Sequence, residues 1–117
     1  MKKQQRLDII HSCLNKILNE GGSANLVIFT DPDSTKFVQF IGKRGGRLLL
    51  IDIPKVELKA DEERRLNEIF SPLLEPTEYT YQAQVTPDQG VKVTEKIFRG
   101  VFLSPDTYNI GTEINLK

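Results

Sequence analysis

Two side chains with nucleophile and general-base chemistry, Cys13 and His11, are the only cysteine and the only histidine in the chain. They lie two positions apart in a segment whose apolar residues recur with helical spacing. Residues two apart on a helix point about 200° away from each other, so the imidazole of His11 cannot reach the thiol of Cys13. We therefore interpret His11 as a residue at the border of an apolar stripe and Cys13 as a half-buried thiol, and we predict no catalytic pair.

A glycine-rich, basic segment over residues 42–47 has the composition of an anion-binding loop. Its glycines let backbone N–H groups approach a phosphate, and Lys43, Arg44 and Arg47 add positive charge. The spacing matches neither the P-loop nor the dinucleotide-binding fingerprint, and the segment lies between two predicted strands instead of before a helix. The sequence therefore favours a hairpin turn. Contact of these three cations with a phosphate, a nucleic acid or an acidic partner is the alternative.

Two carboxylates, Asp31 and Asp33, are close enough in sequence to ligate a metal or to act as a pair. They also belong to the sequence Asp-Pro-Asp-Ser, which is a strong turn former because aspartate side chains bond to the nearby backbone. A single cysteine and a single histidine can form neither an internal disulfide nor a tetrahedral zinc site. We expect a turn here, with no metal and no cofactor.

Length and composition indicate one domain over residues 1–117. The chain is 38% hydrophobic and 27% charged, which is typical of a globular protein and argues against wholesale disorder. Its formal net charge is zero, so no global field attracts it to nucleic acid or to an anionic membrane. No apolar run approaches the roughly 20 residues that span a bilayer, and we expect the protein in the cytoplasm.

The pattern of apolar residues and turn formers predicts an α+β domain with two layers. The predicted elements are a helix over about Lys3–Asn19, strands over Asn25–Thr30, Lys36–Ile41 and Arg47–Ile53, a helix over about Asp61–Ser71, and extended segments over 79–85, 91–97 and 108–116. The predicted fold is thus an antiparallel sheet of five to six strands with two helices, in the order α-β-β-β-α-β-β(-β).

The first three predicted strands are apolar on both faces, unlike the later ones, which alternate. Their apolar runs are Leu26–Phe29, Phe37–Ile41 and Leu48–Ile51. Because side chains alternate between the faces of a strand, a helix layer on one face leaves the other set to be covered. Helices on the opposite face, a curled sheet, a second copy of the chain or another protein are the alternatives. If a protein covers it, the predicted partner-binding residues are Phe37, Phe40, Leu48 and Leu50.

The segment Phe37–Phe40, the glycine-rich turn and the segment Leu48–Pro54 together resemble the type III secretion chaperone-like superfamily, which includes stand-alone bacterial members. The order helix, three strands, helix, two strands over about residues 4–98 is similar as well. The resemblance implies a small α+β protein, often a dimer, that binds other polypeptides and has no catalytic site. The family typically finishes with a third helix that helps to form the dimer, whereas Thr107–Lys117 is predicted here as a strand.

Three hypotheses about function follow from the sequence. The first is a non-enzymatic protein-binding module, working as a homodimer or with a partner chain through an apolar sheet face. The second is a domain that binds nucleic acid or a phosphorylated ligand through Lys43, Arg44 and Arg47, although no aromatic residue lies among these cations to stack on bases. The third is an enzyme, which would require Asp, Glu or Tyr residues that only the fold brings together.

Overall fold

A computed structural model describes all residues, 1–117, as alternating helices and strands. The elements are α1 (Lys3–Asn19), β1 (Asn25–Asp31), β2 (Lys36–Gly42), β3 (Leu49–Pro54), α2 (Ala60–Phe70), β4 (Glu75–Pro76), β5 (Thr80–Val85), α3 (Pro87–Lys96) and β6 (Gly111–Asn115). A short 3-10 turn, Lys55–Glu57, follows β3, and a π turn, Ile97–Val101, extends α3. None of the helices combines the length and the apolar character that crossing a membrane requires.

The six strands form one antiparallel sheet in the order β4-β5-β3-β2-β1-β6. The three helices lie on one of its faces. Tyr81 on that face donates a hydrogen bond to Glu63 of α2, and a Cβ built on Gly90 of α3 would lie 2.8 Å from Leu14 of α1 and 3.3 Å from Phe40 of β2. The predicted two-layer α+β class is therefore confirmed, with three helices where two were expected.

Helix α1 has the predicted bounds, and the residues after it explain where it stops. Gly21 adopts a positive φ of 72°, a conformation that glycine takes at little cost. Asn25 then donates to the carbonyl oxygens of Ile17 and Glu20 and accepts from the backbone N–H of Gly22. One buried amide side chain thus hydrogen-bonds to the backbone groups at the end of α1 and positions the start of β1.

The prediction of an extended segment over 91–97 was wrong, because helix α3 and the π turn after it occupy these residues. Thr86 caps α3: its hydroxyl accepts from the N–H of Gln89 at 3.2 Å, and the Gln89 side chain accepts from the N–H of Thr86 at 2.9 Å. Pro87, with its fixed φ, suits the first helical position. The capping box was readable in the sequence. The alternation of β-branched Val91 and Val93 concealed it.

A buried ion pair joins α1 to α3 within the helix layer. The guanidinium of Arg6 in α1 is fully buried and contacts the carboxylate of Glu95 in α3 at 2.6 Å. It also donates to the carbonyl oxygens of Met1, Asp106 and Tyr108, and the Tyr108 hydroxyl donates to Glu95 at 3.1 Å. The hydrogen bond to Glu95 raises the pKa of Arg6. Because every partner is hydrogen-bonded, this pair avoids the penalty of an isolated buried charge.

Candidate binding surface on the open face of the sheet

The face of the sheet opposite the helices, here called the open face, carries an apolar row near one end of the strands. Leu26, Ile41 and Leu50 are paired neighbours on β1, β2 and β3, and Gln84 of β5 continues the row. Leu48 lies just before β3 and is 49% exposed, and Ile41 is 38% exposed. Three strands therefore present one contiguous apolar strip to solvent.

A polar row crosses the open face next to the apolar row. It consists of Glu113, Gln39, Asp52, Gln82 and Glu75, interrupted by Ile28 between Glu113 and Gln39. Asp52 lies near its centre, and its Oδ2 accepts from Gln39 at 3.2 Å. The other carboxylate oxygen, Oδ1, is buried and has no hydrogen-bond partner. Buried polar atoms nearly always have a hydrogen-bond partner, so the unpaired Oδ1 sets Asp52 apart from the other residues of the polar row.

The basic turn, residues 43–47, borders the apolar row on the other side. Lys43, Arg44 and Arg47 are exposed, and none of them forms a salt bridge within the chain. Gly45 has a positive φ of 81°, as a tight turn requires, so the predicted hairpin between β2 and β3 is confirmed. Three unpaired positive charges therefore lie beside an apolar strip.

The backbone of the basic turn does not form the phosphate cradle that its glycines allow. The N–H groups of Arg44 and Gly45 donate to the carbonyl oxygens of Gly22 and Leu18, at 2.9 and 2.8 Å, and Gly46 N–H donates to Lys43 at 2.9 Å. Since these donors are occupied, any contact with an anion depends on the three cationic side chains.

A shallow groove of about 210 Å³ joins the basic turn to the apolar row. Four of its eight lining residues are apolar, and the lining comprises Ile41, Leu48, Leu49, Leu50, Gly42, Lys43, Ser23 and Gln84. Such a lining accepts an apolar side chain and offers polar contacts at its rim.

The structure places three of the four predicted partner-binding residues on the open face. Phe37, Leu48 and Leu50 are half-buried or exposed there. Phe40 does not belong with them, because its side chain is 0% exposed and packs edge-to-face on Phe29 beneath the helices, with ring centroids 5.9 Å apart. Residues three apart on a strand point to opposite faces, so Phe37 and Phe40 cannot share one surface.

The other chemical candidates remain apart. His11 is exposed, with its ring 3.6 Å from Asp88, in a groove between α1 and α3. Burial raises the pKa of the Cys13 thiol, which makes it a poorer nucleophile. Asp31 accepts from the N–H of Asp33 at 3.1 Å, as the predicted turn requires, and its other carboxylate oxygen accepts from the hydroxyl of Ser104 at 2.6 Å. No group of three or more potential ligands is placed to hold a metal ion.

One residue of the site, Asp52, was not predicted from the sequence. The only signal was an acidic residue inside an otherwise apolar run, between Ile51 and Ile53.

Comparison of the chain with protein-family models, curated proteins and solved structures finds no match. The case for a function therefore rests on the open face itself.

Proposed function

We propose that this chain is a non-enzymatic protein-binding module of the cytoplasm that uses the open face for dimerisation or for binding another protein. One observation carries the proposal: all three helices cover one face, and the other face presents six apolar side chains that no element of the chain covers. They are Leu26, Ile28, Phe37, Ile41, Leu48 and Leu50. The resemblance to the type III secretion chaperone-like superfamily implies the same kind of activity.

The distribution of these side chains favours a protein partner. The solvent-facing side of an antiparallel sheet usually carries polar residues. Contiguous apolar patches with a polar rim mark interaction sites. Here the basic turn and the polar row form such a rim on either side of the apolar row.

The test is molar mass by light scattering, from micromolar to hundred-micromolar loading, together with binding of a hydrophobic dye. We expect either a dimer or a dye-binding monomer, and Leu50→Glu should abolish the observed behaviour. Ile69→Glu is the control for an added charge on an apolar side chain outside the open face, since Ile69 is 43% exposed and lies on α2 in the helix layer. A monomer that binds no dye, or a Leu50→Glu variant that behaves as the parent, would contradict the proposal.

The three unpaired cations of the basic turn favour one second candidate, binding of nucleic acid. Phosphate contacts make affinity fall steeply with salt. A triple variant with Lys43, Arg44 and Arg47 changed to alanine should then lose oligonucleotide binding and the salt dependence. Equal oligonucleotide binding by the parent and the triple variant would exclude it.

A further inference from the structure

The groove between α1 and α3 lies in the helix layer, on the other side of the sheet from the open face. Three adjoining cavities of about 410, 260 and 250 Å³ form it. The first two cavities share Leu7 and Lys92, and the second and third share Lys3, Glu95 and Lys96. The three cavities are therefore one continuous groove.

Two antiparallel rows of side chains form the walls of the groove. The wall residues recur every four positions, so each row lies on one side of its helix. Taken from one end of the groove to the other, they are Lys3, Leu7 and His11 on α1, and Lys96, Lys92 and Asp88 on α3. The ring of His11 lies 3.6 Å from Asp88 at the far end. The walls therefore face each other pair by pair over a length of about 12 Å.

The near end of the groove holds an excess of positive charge. Two carboxylates line it, but both have cationic partners: Glu95 accepts from Arg6 through both oxygens, and Asp106 lies 3.9 Å from Arg99. Three lysines that line the groove form no salt bridge, namely Lys3, Lys92 and Lys96. Three ammonium groups, here called the lysine cluster, thus border the groove without a counter-ion from the chain.

The lysine cluster lowers the stability of the isolated chain. Lys92 and Lys96 are four residues apart on α3, and like charges at that spacing destabilise a helix. Lys3 lies in the first turn of α1, where the helix dipole disfavours a cation and where no acidic residue compensates for it. Departures from local rules are expected at functional sites. An anion bound among the lysines removes the repulsion.

The far end of the groove carries the opposite charge. Asp8, Asp88 and His11 line it. Carboxylates repel a phosphate, but they accept hydrogen bonds from hydroxyl and amino groups. Leu7 and Val91 provide apolar surface next to them. The groove therefore suits a molecule with phosphates at one end and an organic part with hydroxyl or amino groups at the other.

We propose that this groove binds a small molecule with two or three linked phosphates, which lie at the lysine cluster while the organic part lies over Leu7 and toward Asp88. A nucleoside triphosphate has this chemistry, and an inorganic polyphosphate shares only its phosphate end. Lysine is a common phosphate-binding residue, and a groove about 12 Å long exceeds what a single phosphate fills. The inference concerns the helix layer and does not rest on the proposed function.

Isothermal titration calorimetry with ATP, in low-salt buffer without phosphate or divalent cations, tests the site. We expect the parent to bind one ATP per chain with a dissociation constant below about 1 mM. Lys3→Gln with Lys96→Gln should weaken binding at least about tenfold, because charge-assisted hydrogen bonds to phosphate are lost. The matched control, Lys59→Gln with Arg64→Gln, removes two exposed cations at α2 and should leave the affinity within about twofold, since distant exposed charges are screened.

Inorganic tripolyphosphate separates the two ends of the site. ATP should bind the parent several-fold more tightly than tripolyphosphate does, because only ATP offers hydroxyl and amino groups to Asp8 and Asp88. Asp88→Ala should reduce this preference without weakening the binding of tripolyphosphate. Equal affinities of the two ligands for the parent would overturn the placement of the organic part and assign the groove to inorganic polyphosphate.

Thermal denaturation distinguishes a binding role of the lysine cluster from a structural one. Without ligand, the variant Lys3→Gln with Lys96→Gln should melt no lower than the parent, because it relieves like-charge repulsion. ATP should raise the melting temperature of the parent more than that of the variant. The inference is overturned if the parent does not bind ATP at about 1 mM, or if the parent and the variant bind it equally.

Discussion

The two faces of the sheet are made by the same strands, and both are rich in apolar side chains. On the helix-covered face even the charged groups are paired, as Arg6 and Glu95 show. On the open face one oxygen of Asp52 is buried without a partner, and the cations of the basic turn form no salt bridge. Apolar content alone therefore does not distinguish the two faces of the sheet. The pairing of the polar groups does.

The largest difference in stability between the two faces is expected at two phenylalanines of β2. Phe40→Ala on the helix-covered face should lower the free energy of unfolding by about 3–5 kcal/mol, because it leaves a cavity in the core. Phe37→Ala on the open face should cost about 1 kcal/mol or less, since its side chain remains partly in water. Chemical denaturation measures both. Similar losses for the two variants would mean that the open face is packed like a core.

A change of similar size should follow from breaking the buried ion pair. Arg6→Met removes the cation that pairs with the buried Glu95 carboxylate and the donor to three backbone carbonyl groups, and we expect a loss of about 3–5 kcal/mol. The double variant Arg6→Met with Glu95→Leu should recover only part of it, because the three carbonyl groups and the Tyr108 hydroxyl still lack their partners. Arg64→Met, which removes an exposed cation 3.9 Å from Glu68, should cost less than about 1 kcal/mol. A double variant as unstable as the single one would contradict this account.

Alkaline pH provides a smaller test on the helix-covered face. Burial, and then the charge of Glu95, raise the pKa of Tyr108, so the folded chain holds this proton more tightly than the unfolded chain. Stability from this group is present below the unfolded pKa, about 10, and is lost as the pH rises above it. Between pH 9 and pH 11 the parent should lose about 1.4 kcal/mol more than Tyr108→Phe. Thermal denaturation of the parent and of Tyr108→Phe at each pH measures the difference. Equal losses of stability in the two proteins would show that ionisation of Tyr108 is not the cause.

The smallest expected effect is a gain in the free energy of unfolding. Asp52→Val removes a carboxylate oxygen that is buried without a partner and introduces a good strand former, so it should raise the free energy of unfolding by about 1 kcal/mol. Glu113→Val is the control, because Glu113 lies in the same row but is exposed. Urea denaturation compares the two. A loss of stability in Asp52→Val would show that the carboxylate is satisfied within the chain.

Local signals determined how much of the fold could be predicted. The bounds of α1 and the β1–β2–β3 meander follow from helical spacing and from turn residues such as Gly21 and the Asp31–Ser34 segment, and the prediction agrees with the structure there. Helix α3 was missed because Val91 and Val93 favour a strand by propensity. Packing of Gly90 against Leu14 overrides that preference, and this contact joins elements far apart in sequence.

The site could be predicted only in part, for a related reason. The apolar runs indicated that two faces needed cover, but the placement of all three helices on one face depends on tertiary packing. Phe40 was assigned to the wrong face, although strict alternation from Phe37 would have separated them. The unpaired state of Asp52 depends on its neighbours Gln39 and Gln82 on two other strands, and no local pattern reveals it.

The attachment of the basic turn to α1 has a consequence for local opening. Because the amides of Arg44 and Gly45 donate to Gly22 and Leu18, the turn cannot open without breaking bonds at the end of that helix. Its amide protons should exchange with deuterium at the rate of the last turn of α1, although the side chains around them are exposed. The turn and the helix end thus form one cooperative unit, and a protein seated on the open face would slow exchange on the opposite side of the sheet.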